Sequence, residues 1–145
     1  MKLLSITTTL FIGYLILIAC KSATLGPEFP ITDFSEYDYI VVATVDNAVH
    51  EEEGYQPLKT FNITIKKCLK GNLNVGNHIY GEAKKEEARA VCPVHLNENS
   101  DYLLLLTKSI AGYRLSRFSF PVEHNHRYFE DYIEQIEKGL KDTKN

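Results

Sequence analysis

Three cysteines and five histidines are the residues of this chain whose chemistry and spacing most invite a functional reading. Cys92-Pro-Val-His95 sets a thiol and an imidazole close together, the pair a thiol nucleophile and its base would need. An active site also requires an orienting group in one cleft, and the sequence offers none beside them, so the pair reads as a structural cysteine next to a surface histidine. His124-Asn-His126 offers two imidazoles without a neighbouring third ligand, short of a zinc set, and reads as a solvated helix start. Asn62-Ile-Thr64 matches a glycosylation sequon but falls within a strand pattern. The chain therefore reads as non-enzymatic, with no catalytic residue, no cofactor and no metal of its own.

Charge narrows the partner class. The formal net charge is -3, and Lys and Glu are intermixed along the chain. A nucleic-acid partner would want a basic stripe, so none is expected. The loop beginning His50-Glu51-Glu52-Glu53 reads as solvated, and the charged stretch holding Lys84 and Lys85 reads as either a loop or a single helical turn. Recognition by small barrels runs through loops, which makes these two the candidate binding loops for a protein partner.

Such loops must be carried by a scaffold. Residues 37–45 are β-branched and aromatic almost throughout, predicting a strand buried on both faces or closed within a barrel. Residues 59–69 alternate, with Phe61, Ile63, Ile65 and Leu69 on one parity and Thr60, Asn62, Thr64, Lys66 and Cys68 on the other. Further strands are predicted at 78–81, 102–107 and 113–120, and Pro121 closes the last. Phe129, Ile133, Ile136 and Leu140 recur at i, i+4, i+7 and i+11, the stripe of an amphipathic helix over 126–141. Five short strands with hairpin-length connections and one helix predict an all-β domain with a C-terminal helix, a five-stranded antiparallel OB-type barrel. Its expected division is a signal at 1–19, a tether or arm at 20–33, the barrel at 34–122, and a helix with tail at 123–145.

The N-terminus predicts export. Lys2 precedes an apolar run at residues 10–19 that is too short for a membrane-spanning helix. Leu17-Ile18-Ala19-Cys20 resembles the lipobox of bacterial lipoproteins, which implies lipid on Cys20 and a cell-envelope location. A plain secretory signal, giving a secreted extracellular protein, is the alternative. Export permits a disulfide. If Cys20 carries lipid through its sulfur, Cys68 and Cys92 remain either to pair or to stand as two thiols.

In order and spacing, Phe34, Asp38-Tyr-Ile-Val41, Phe61-x-Ile63-x-Ile65-x-Lys67-Cys-Leu-Lys70-Gly71, Val91-Cys92 and Tyr102-Leu-Leu104 resemble the netrin-like (NTR) domain, and the chain is similar to the tissue inhibitors of metalloproteinases. The resemblance covers about residues 34–122 and implies the same OB barrel. It further implies that a free N-terminal Cys20, bridged to Cys92, would chelate the catalytic zinc of a metalloprotease through its amine and carbonyl, displacing the water at the open position. The sequence departs from the inhibitors at Ser22, Ser35 and Phe118, where they carry cysteines. Lys21 would face a hydrophobic pocket, and an N-acylated Cys20 has no amine to offer. The leading expectation is thus a lipid-anchored, NTR-like module binding a protein partner, and the alternative is a secreted zinc-protease inhibitor.

Overall fold

Alternation in a strand only buries one face if something closes over it, and here the sheet closes over itself. The computed structural model describes residues 25–52, 58–83, 94–116 and 119–143. Its strands are β1 Tyr39–His50, β2 Leu58–Lys70, β3 His78–Ala83, β4 Asp101–Ser109, β5 Gly112–Leu115 and the two-residue β6 Val122–Glu123, followed by helix α1 Phe129–Asp142. The sheet order is β1-β2-β3-β5-β4-β6, and β1 also pairs with β4, so the first five strands form a closed barrel. The expected OB-type barrel with a C-terminal helix is the observed fold. One feature differs from an antiparallel barrel: β3 and β5 run parallel, Gly81 opposite Tyr113. Closure brings together two strands whose directions no hairpin has fixed, and the barrel is mixed.

Closure explains the unbroken apolarity of β1. Val41, Ala43 and Val45 point into the barrel with Phe61, Ile63, Ile65, Leu104, Leu106 and Leu115. Ile40 and Val42 point outward, into a second core with Leu103, Leu105, Val122 and the α1 residues Phe129, Tyr132, Ile133 and Ile136. Two layers of side chains thus sandwich the β1–β4 wall between the barrel interior and the helix. The helix begins three residues later than the periodicity predicts.

Two expectations are corrected. By alternation Cys68 falls on the polar parity of β2, yet it packs against the barrel interior while Leu69 packs against the helix-side core. The register shows why: Ala43 pairs with Ile65 but Val42 with Lys67, leaving Lys66 as a bulge that reverses the parity beyond it. The strand predicted over 113–120 ends at Leu115, and Phe120 takes a left-handed φ of 48°, which no strand continues through. The arm, one of the two readings of residues 20–33, is docked over its described part: Phe29 is buried in the helix-side core, with Phe34 at the start of the expected barrel beside it.

The Lys70-Gly71 pair has a structural purpose. Lys70 Nζ donates to Phe34 O at 2.7 Å and to Tyr37 O at 2.5 Å, holding the chain as it enters β1. Gly71 has a φ of 102°, and a Cβ there would lie 2.4 Å from the Tyr39 ring. Both residues serve the junction of arm, β1 and β2.

Candidate functional site

The β1 terminus carries His50 to the mouth of the barrel, where the segment ahead of β4 passes. His50 stacks on His95, centroids 4.1 Å apart at 23°. The Leu96 N–H donates to His50 Nε2 at 3.4 Å, so in the neutral ring the proton sits on Nδ1. Glu98 braces the same strand, accepting from Asn47 Nδ2 at 3.0 Å and Ala48 N at 3.1 Å. Burial, then the adjacent His95, hold His50 below the usual imidazole range, against an opposing pull from Glu98.

A folded-state histidine pKa below its unfolded value means that the unfolded chain binds more protons as pH falls through the ordinary histidine range. Stability from this site is complete above that range and is lost as pH drops through it toward the folded value. Melting temperature measured from about pH 8 down to about pH 5 is expected to decline, with a shallower decline in His50→Gln. Identical slopes for the two proteins would remove His50 from the account.

A second polar cluster lies on the outer face of β1, β2 and β3, where register sets Thr44 beside Thr64 and Thr64 beside His78. Thr64 Oγ1 donates to Asp46 Oδ2 at 2.7 Å and lies 2.8 Å from His78 Nδ1. This resembles a hydroxyl, imidazole and carboxylate assembled for nucleophilic attack, but the protons point the wrong way. The single Thr64 proton goes to Asp46, so His78 donates to the hydroxyl rather than accepting from it. All three side chains lie on an exposed strand face, with His78 largely in solvent. Nearby, Asp101 accepts from Thr44 at 2.6 Å and from Lys66 at 2.6 Å. Burial raises its pKa, but these two partners outweigh that and hold the carboxyl below its ordinary range.

The third grouping is where the arm meets α1. Tyr132, wholly buried, donates its hydroxyl to Gly26 O. Gln135 grips the arm twice: its Oε1 accepts from Phe29 N at 2.8 Å, and its Nε2 donates to Pro27 O at 2.9 Å. His126 stacks on Tyr132 at 5.6 Å, and its Nδ1 accepts from Tyr128 N at 3.3 Å. His124 sits edge-on to Phe129 at 5.2 Å, so the two histidines read together in sequence engage different rings. Arg127 lies over the Tyr128 ring, 4.7 Å from its centroid. Leu25, Gly26, Asn125, His126, Arg127 and Tyr128 line an open cleft of about 700 Å³.

Of the candidates from sequence, Glu51 and Glu52 are exposed after β1. Cys68 is a free, half-buried thiol whose Sγ donates to Lys70 O at 3.2 Å, so it forms no bridge in this structure. Cys20, Glu53, Lys84, Lys85 and Cys92 lie outside the described residues. Among the described residues no three His, Cys, Asp or Glu side chains are grouped to hold a metal ion, and no helix is long and apolar enough to cross a membrane. Register and long-range packing, rather than sequence neighbours, build the His50–His95 stack, the Thr64 cluster and the arm clamp.

The fold and these groupings define a class, a closed OB-type barrel with a C-terminal helix and a strapped N-terminal arm. No family model matches the chain. No curated protein matches it either.

Proposed function

We propose that the chain is an exported binding module, held on the bacterial cell envelope by lipid on Cys20 and acting on a protein partner through its barrel. The observation that carries this reading is the strapped arm. Clamped by Tyr132 and Gln135, the arm leaves the barrel at the N-terminal end of α1 rather than dangling as a flexible tether. That end lies by the start of β4, since His124 N donates to Asp101 O. Ile110, fully exposed, follows the far end of β4, about 27 Å away along the strand. An anchor at one end leaves the far end, where Ile110 is exposed, free to meet a partner.

Intact mass of the mature protein tests the anchor. The expected result is an acylated Cys20 and, on the unreduced, denatured chain, two titratable thiols from Cys68 and Cys92. An unmodified N-terminal Cys20, together with inhibition of a zinc metalloprotease, would replace this reading by the inhibitor. Loss of both thiols would show a Cys68–Cys92 bridge.

A further inference from the structure

The clamp fixes more than the arm. Cys20 precedes Leu25 by five residues, and five extended residues reach no farther than about 17 Å. Whatever holds Cys20 therefore lies close to the cleft that Leu25 lines. Resting on the lipid-anchor reading above, we propose that this end of the molecule, with Leu25, Asn125, Arg127 and Tyr128, is a docking surface seated on the phospholipid headgroup layer.

The side chains suit that occupant. Arg127 is exposed, with its guanidinium placed over the half-buried Tyr128 ring, so an aromatic body and a cationic tip face outward together. Tyrosine and arginine are side chains that settle at the boundary between hydrocarbon and water, where the ring meets the acyl boundary and the guanidinium meets phosphate. His126 spends Nδ1 on the Tyr128 N–H, which leaves a neutral ring with its proton on Nε2 as a donor. The first turn of α1 adds the exposed carboxylates Glu130 and Asp131. These would repel a purely anionic surface, but they complement the primary ammonium of phosphatidylethanolamine while Arg127 meets its phosphodiester. The occupant is therefore a zwitterionic phosphatidylethanolamine surface, reached because the anchor brings it within range.

The chain contains no tryptophan, so one introduced indole reports one place. Tyr128→Trp, Asn125→Trp and Ile110→Trp would be made separately in the full chain and reconstituted into phosphatidylethanolamine vesicles whose acyl chains carry bromine near the headgroup. Asn125 is exposed, so its variant does not depend on the packing around Tyr132. The expected result is that tryptophan at 125 and at 128 loses most of its emission, whereas tryptophan at 110 keeps it. Equal quenching at all three positions, or none at 125 and 128, overturns the docked orientation. Intact mass of the same samples separates the causes. Acylated Cys20 with unquenched tryptophan leaves the anchor standing and removes the docking surface, whereas unacylated Cys20 removes both.

Discussion

Gly81→Ala is expected to cost about 3 kcal/mol or more, a fall in melting temperature on the order of 10 °C. Gly81 lies on β3 between Phe61 of β2 and Tyr113 of β5, with its Cα facing the barrel interior. A Cβ built there falls 2.1, 2.5 and 2.8 Å from three carbons of the Phe61 ring. Phe61 is wholly buried among the barrel residues, so the ring has no free volume into which to retreat. The small residue and the large one share a single space, as the taper of a small barrel requires. The test is a double-mutant cycle with Phe61→Leu, a truncation that is destabilising alone because it leaves a cavity. Combined, the two changes are expected to cost less than their sum by about 0.5–3 kcal/mol, because each relieves the other's fault. Additive effects in the cycle would show that the two positions do not compete for space.

The same interlocking explains what the sequence could not display. Phe61, Ile63 and Ile65 announce an inward-facing strand because period two is a local property. Beyond Ile65 that signal misleads: the bulge at Lys66 turns Cys68 inward, and a bulge is set by the register against β1, far away in the chain. Residues 113–116 look no more strand-like than Phe120, yet pairing stops at Leu115, and Phe120 takes a left-handed φ before the chain reaches β6. The parallel β3–β5 contact follows from closing the barrel and leaves no trace in either strand. The helix stripe is legible in Phe129, Ile133 and Ile136, while Tyr132, fully buried on that face, stands outside the i, i+4, i+7 set and carries a hydroxyl. It fits the i+3 spacing, and that hydroxyl is what finds the arm. Phe29 within the 20–33 stretch and Phe34 at its edge were the available sign that the arm would dock. The candidate sites show the same limit. His50 and His95 could each be noticed, but their stacking depends on β1 meeting the segment ahead of β4.

Tyr132→Ala is expected to cost about 3–5 kcal/mol, the range for removing a buried aromatic ring. The ring sits at the junction of three elements: it packs with Phe29 of the arm at 5.2 Å, stacks on His126, and lies over the β1–β4 wall. Its hydroxyl, with a pKa raised first by burial and then by Tyr128 and Asp131, stays protonated at neutral pH and donates to Gly26 O. Tyr132→Phe isolates that bond: the ring and its packing remain, and the expected cost falls to about 1 kcal/mol. Gln135→Ala removes the other two polar ties, to Phe29 N and Pro27 O, without touching the core. If the clamp is polar as well as apolar, limited proteolysis of the double variant Tyr132→Phe, Gln135→Ala should cut between residues 25 and 34 while the barrel stays protected. An arm as resistant as in the unaltered chain would mean that burial of Phe29 and Phe34 alone holds it, with the three hydrogen bonds merely satisfying groups that water could serve. The distinction bears on function, because a strap closed by hydrogen bonds fixes the point at which the described chain, at Leu25, leaves the barrel. Burial alone would tolerate sliding of the arm along α1.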